Sequence, residues 1–247
     1  MKKICFLAGC VVSVVIFSSF ELQAAEQSGL FSGLFPSYRR FLHRLPAKRS
    51  HAFFYRADTM RKIVALTFDD GPLRRTPRIL RLLREKEAPA TFFLLASHLN
   101  ARNARLYDDP LFSIGLHGWR HPHYSRLSTR GVARELDRGM ERFRRFGLQT
   151  EWFRPPYGMV TVTLPRLLDQ RHLRGILWSL DSYDWRRYRG RKVLRRIRNH
   201  LEPGSVILLH DQSLPLKDLD SLIDTIRSEG YRIVPLAELL HYPTLRP

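Results

Sequence analysis

Cysteine is almost missing from this chain, and both copies, Cys5 and Cys10, lie within its first ten residues. If that leader is removed, the remaining chain has no thiol and can form no disulfide. Stability must then come from core packing, which 247 residues with 44% hydrophobic composition can supply. Long apolar runs are scarce too. The longest, Ile4 to Phe20, is near the lower limit for crossing a bilayer. Lys2 and Lys3 precede it and Leu22-Gln23-Ala24 follows, the order of a secretory signal cleaved near Ala24 or Ala25. An uncleaved anchor is the alternative, and the Ala-Ala ending before polar Glu26-Gln27-Ser28 favours cleavage. Leu7-Ala8-Gly9-Cys10 resembles a lipoprotein box, but it leaves an apolar core of only about six residues, short for that route. Acidic residues are the second deficit, with 23 Asp plus Glu against 42 Lys plus Arg. Such an excess commonly marks nucleic-acid binding. Export argues against that partner and points to anionic lipid headgroups, cell-wall polymers or acidic polysaccharide, with a plain solvated basic surface as the other reading. Internal repeats and low-complexity linkers are also lacking.

What is present divides the chain into a signal peptide (1–25), a basic aromatic segment (26–60) and one catalytic-size domain (61–247). In the second part Leu30, Phe31, Leu34, Phe35, Tyr38, Phe41, Leu42 and Leu45 recur at near-helical spacing among Arg39, Arg40, His43 and Arg44, with Pro36 as a break. Such a stripe can lie on a membrane surface, but more often packs on the domain behind it. The product is expected to be secreted or periplasmic, or peripheral to the membrane.

From Lys62 onward short apolar runs alternate with amphipathic stretches. Strands are expected at Lys62–Leu66, Ala90–Leu95, Phe112–Leu116, Glu151–Phe153, Gly175–Leu180, Ser205–Leu209 and Tyr231–Val234. Thr76-Pro77 is expected to cap and open a helix. Ser128 is expected to cap another, whose buried stripe is Val132, Leu136, Met140 and Phe143 and which Gly147 closes. This alternation implies α/β architecture: a distorted (β/α) barrel with about seven parallel strands.

Titratable groups then stand at strand end after strand end: Asp69-Asp70, His117 with His121, Arg154, Asp181 with Asp184, and His210-Asp211. A parallel barrel gathers those ends on one face. His117 and His121 can face one point, and an Asp completes a two-His, one-carboxylate set suited to Zn²⁺ or a similar divalent ion.

These stretches, TFDDGP, HGWRHP, FRPPYG, DSYDW and LLH, resemble in order the five motifs of the polysaccharide deacetylase family (NodB homology domain, carbohydrate esterase family 4), over Thr67 to about Leu240. The resemblance implies that Asp70, His117 and His121 hold the metal: Zn²⁺, or another divalent cation such as Co²⁺, Ni²⁺ or Mn²⁺. It implies Asp69 as general base, Arg154 as the partner keeping it ionised, and the Tyr157 backbone N–H as oxyanion donor. His210 would be the general acid, tuned by Asp184, with Trp185 and Leu208 walling the site. Trp119, Trp185, Tyr157 and Tyr183 could offer platforms to sugar rings, or serve as packing. One departure stands out: Gly118 occupies the place of the family's usual Ser or Thr. The implied reaction is hydrolytic removal of N-acetyl groups from amino sugars of a cell-envelope or extracellular glycan: peptidoglycan, exopolysaccharide or chitooligosaccharide. The rival readings are a deacylase of a lipid-linked sugar and a non-catalytic cationic glycan binder on the same fold. The expected partners are the N-acetylated glycan and an anionic envelope surface, without nucleic acid or an obligate protein partner.

Overall fold

The computed structural model describes residues 53–186 and 190–244. The signal-peptide reading and nearly all of the basic aromatic segment lie outside the described residues. In chain order the elements are β1 (Phe53–Phe54), β2 (Ile63–Asp69), α1 (Thr76–Glu85), β3 (Ala90–Leu94), α2 (Ala101–Ala104), β4 (Phe112–Leu116), α3 (Thr129–Arg145) and β5 (Trp152–Phe153). There follow α4 (Leu164–Asp169), β6 (Arg174–Ile176), β7 (Leu180–Asp181), α5 (Gly190–His200), β8 (Val206–His210), α6 (Leu216–Ser228), β9 (Arg232–Ile233) and α7 (Leu236–Leu240).

All the ladders are parallel, in the order β1-β6-β5-β4-β3-β2-β8-β7, with β9 pairing the start of β2. The sheet curls into a distorted barrel. Residues 177–179 link β6, the neighbour of the margin strand β1, to β7 at the other margin. Within that link the Leu177 amide donates to the Phe54 carbonyl at 2.7 Å and the Ser179 amide to the Val206 carbonyl at 3.1 Å. The expected single strand Gly175–Leu180 is therefore two strands. Its halves pair with different neighbours, β6 with β5 and β1, β7 with β8. The sheet also begins earlier than residue 61, since β1 pairs β6 in register Phe53↔Gly175.

β2 is the central strand. All seven of its residues are buried, as expected for a parallel strand covered on both faces. Its period of two places Ala65, Thr67 and Asp69 on one face. Ala65 packs in a core with Phe54, Phe93, Ile176, Val206, Val234 and Leu236, while Thr67 and Asp69 carry polar groups toward the strand ends. On the other face Phe68 stacks on Phe92 at 5.1 Å. Each such fully buried side chain contributes about 1.5–3 kcal/mol.

The helices follow their caps with two corrections. Ser128 caps α3, its hydroxyl accepting from the Gly131 amide at 3.2 Å. Thr76 does not cap α1: its hydroxyl accepts from the Leu73 amide at 2.7 Å and donates to Asp211. In the buried stripe of α3, Gly139 takes the place expected for Met140, which is only half-buried. A Cβ on Gly139 would lie 2.7 Å from Leu116 Cδ1, so the helix sits close over β4.

Candidate active site

Register brings the strand ends level. Asp69 pairs with Phe93 of β3 and with His210 of β8, and Leu116, just before His117, pairs with Phe153, just before Arg154. The Asp69-Asp70-Gly71 turn is anchored at three successive carbonyls. The Asp211 amide donates to Asp69 at 3.1 Å, the Leu95 amide donates to Gly71 at 2.8 Å, and His98 Nδ1 lies 3.2 Å from the Asp70 carbonyl. These anchors hold Asp70 at φ 75°, a left-handed conformation that surroundings must impose on a non-glycine residue.

Three ligand atoms converge in front of this turn. Asp70 Oδ1 lies 3.7 Å from His117 Nε2 and 3.5 Å from His121 Nε2, and all three lie within 4.8 Å of one another. Two observations test whether the set suits a cation. Asp70 Oδ1 is buried with no hydrogen-bond partner among the described residues, an arrangement that calls for a ligand. His117 Nδ1–H donates to the Arg154 carbonyl at 2.7 Å, which leaves the Nε2 lone pair facing Asp70. Burial, and then the neighbouring His121, push the His117 pKa down to about 3, so its ring is neutral and able to coordinate. Tetrahedral ligands at about 2.0–2.1 Å stand roughly 3.3 Å apart, close to the separations here. The set fits a divalent ion.

On one side lies Asp69, buried against Arg154. Arg154 is fully buried, and Nη1 donates to Asp69 Oδ1 at 2.7 Å and Thr67 Oγ1 at 2.8 Å. Its Nε and Nη2 donate to the carbonyls of Ile176 and Leu177 at 3.2 and 3.0 Å, and its guanidinium lies 4.1 Å from the Phe93 ring centre. Burial lowers the Arg154 pKa and Asp69 opposes that shift. Asp69 Oδ2 remains beside the metal set, 3.7 Å from His117 Nε2.

Level with Asp69, at the end of the adjacent strand β8, stands His210. Its Nδ1 lies 2.8 Å from Asp184 Oδ1 and its amide donates to Asp184 Oδ2 at 2.8 Å. Burial works against a charge on this ring, but the Asp184 hydrogen bond and the carboxylates of Asp184, Asp69 and Asp70 outweigh it, raising the pKa to about 9. One site thus holds, on adjacent strand ends, a buried carboxylate and an imidazole whose surroundings favour its protonated form.

The remaining residues named from sequence are placed as follows. Tyr157 adopts φ 58°, is 59% exposed, and sets its ring edge-on to His121 at 4.3 Å. Trp185 is 38% exposed, and its Nε1 donates to Asp181 at 3.3 Å. Leu208 is buried beside Thr67 in register. Trp119 lies under Arg138 of α3, 4.6 Å from its ring centre to the guanidinium, so packing occupies that face.

For three residues the sequence did not show the structural role. Thr67 ties Arg154 to β8, donating to the Ile207 carbonyl at 2.7 Å; its signal was a hydroxyl inside an otherwise apolar strand. Asp211 is buried behind the metal turn, where burial raises its pKa to about 6. Gly118 sits at φ 88°, and a Cβ there would come within 3.0 Å of Tyr124 Oη, a buried hydroxyl. The volume a larger residue would need is filled by Tyr124, from three residues beyond His121.

Comparison with known proteins agrees with this geometry. The family model described as Polysaccharide deacetylase matches residues 56–176. A peptidoglycan-N-acetylglucosamine deacetylase of Bacillus cereus is 30% identical over 191 residues, covering 73% of this chain and 89% of that protein. The peptidoglycan-N-acetylmuramic acid deacetylase PdaC of Bacillus subtilis is 30% identical over 74% of this chain, which spans only 39% of its length. Among solved structures, a peptidoglycan N-acetylglucosamine deacetylase superposes with TM-score 0.71 at 27% identity, covering 81% of this chain and 97% of that one. A CE4 family pseudoenzyme from Bacillus anthracis superposes with TM-score 0.72 at 29% identity, covering 77% and 69%. The fold is thus shared by active and inactive proteins, and the side chains must decide between them.

Proposed function

Because this chain belongs to the polysaccharide deacetylase family, we propose that it is a metal-dependent hydrolase removing N-acetyl groups from amino-sugar residues of a cell-envelope glycan. Deacetylation of a polysaccharide follows from the family. Metal dependence is supported chiefly by one observation: an orphaned buried Asp70 oxygen facing two imidazole nitrogens, beside the Asp69–Arg154 pair and near the His210–Asp184 pair.

Asp70, His117 and His121 would hold the cation. When bound, an ion such as Zn²⁺ supplies a Lewis acid and lowers the pKa of water from about 15.7 to about 7. Asp69 accepts the proton of the attacking water at Oδ2, the oxygen that Arg154 leaves available. Arg154 compensates the carboxylate's charge and fixes its direction. His210 carries its proton at Nε2, because Nδ1 is held by Asp184, and delivers it to the sugar nitrogen as the C–N bond breaks. Water thus adds to the acetyl carbon, and acetate and a free amine leave. The Tyr157 backbone N–H serves the carbonyl oxygen as it becomes negative, a contribution worth roughly 3–4 kcal/mol. The exposed rings of Tyr157 and Trp185 flank the sugar.

Peptidoglycan is the preferred substrate on the strength of the relatives' names, and export through the leader puts the protein where such a polymer is found. The test is acetate release from peptidoglycan strands and from N-acetylglucosamine oligomers by the zinc-loaded protein, beside Asp69→Asn. Release by the wild type that falls at least about a hundredfold in Asp69→Asn is expected. No release, or equal release by both proteins, overturns the reading.

A further inference from the structure

From Arg186 to Arg198 the sequence carries eight basic residues and no acidic one. The described part of this run is Arg186 and helix α5. Arg191, Arg195 and Arg198 are exposed, and their i, i+4, i+7 spacing places them on one helical face. Among the described residues none of the three meets a carboxylate within ion-pair distance. Like charges at these spacings destabilise a helix, and basic residues in its first turn oppose its dipole. The helix start is not itself an anion site, because Asp218 Oδ2 already accepts from the Gly190 amide at 3.2 Å.

The inner edge of the run reaches the active site. Arg196 Nε donates to the Asp181 carbonyl at 2.6 Å, and its guanidinium lies 3.8 Å from the Tyr183 ring centre. Arg186 lies 4.6 Å from Tyr183 and 4.8 Å from Trp185. Trp185 directly follows Asp184, the partner of His210. Among the described residues, basic side chains therefore stand both at the aromatic rim of the site (Arg186, Arg196) and on the exposed face of α5.

We propose that this face is a docking track for a carboxylate-bearing glycan strand, gripping acid groups on sugars beyond the one being deacetylated. It deepens the function proposed above and rests on that reading. Guanidinium forks match carboxylates in shape and charge. A lipid surface fits less well: an interfacial helix must insert an apolar face, whereas Val193 and Ile197 of α5 are buried in the fold and Arg191, Lys192, Arg195, Arg198, Asn199 and His200 are its exposed residues.

The test compares the wild type with the triple variant Arg191→Gln, Arg195→Gln, Arg198→Gln, after equal melting temperatures show that both fold. Calorimetric titration uses glycan strands with free carboxylates, the same strands methyl-esterified, and anionic phospholipid vesicles, at several salt concentrations. The wild type should prefer the free-acid strands by at least about tenfold, with a salt dependence that flattens in the variant. The variant should lose that preference, while acetate release from neutral N-acetylglucosamine oligomers stays unchanged. Equal binding of free and esterified strands, a loss appearing only on vesicles, or an equal loss on neutral oligomers overturns the track. If no substrate yields acetate, the proposed function fails while the titration still decides the track.

Discussion

At the scale of single residues, the proposed mechanism gives two ion pairs opposite proton duties, and each makes a prediction. The folded pKa of His210, about 9, exceeds its ordinary 6.5. Its pairing therefore stabilises the fold fully below about pH 6.5 and is lost as pH rises through about 9. Asp184→Asn should flatten that decline in thermal stability and move the basic limb of the kcat–pH profile to lower pH. A limb left in place would show that another group donates the proton. Arg154→Leu strands Asp69 in the interior without its counter-charge, and chemical denaturation should report a loss of about 3–5 kcal/mol. The residue types were readable in the sequence because each carries a motif. The roles of Thr67 and Asp211 were not, because they depend on partners 140 and 135 residues away.

At the scale of elements, close approach matters more than propensity. The loop after β4 carries His117 and His121, both proposed as metal ligands, and Gly118 in it combines φ 88° with a hydroxyl 3.0 Å from any added Cβ. Gly118→Ala should cost about 1–2 kcal/mol through the backbone alone and weaken zinc affinity measured by competition with a chelating dye. Within β4, Gly115→Ala would drive a Cβ to 2.4 Å from the Phe93 ring, and overpacking of that kind costs about 1–3 kcal/mol in unfolding free energy. Strand ends were legible because a parallel barrel concentrates polar residues there. The break between β6 and β7 was not, because the apolar run Gly175–Leu180 keeps its hydrophobicity while its hydrogen-bond partners change. The cap assigned to Thr76 failed for a related reason: local chemistry allowed a cap, but a buried carboxylate from the far end of the chain claimed the hydroxyl.

At the scale of the whole molecule, a cation held between two separate strand-end segments, after β2 and after β4, should act as a fastener for the fold. Zinc at a hundred times its dissociation constant should add about 2.7 kcal/mol, seen as a rise in melting temperature that a chelator reverses and Asp70→Ala abolishes. The link between β6 and β7 has a consequence of its own. The guanidinium of Arg154 clasps two carbonyls where β6 runs into that link, Ile176 and Leu177, while gripping the carboxylate of Asp69. The same side chain therefore ties the wall to the acid at the end of β2. If Asp69 is the base, as proposed, breathing of the wall at that line should register first in proton abstraction.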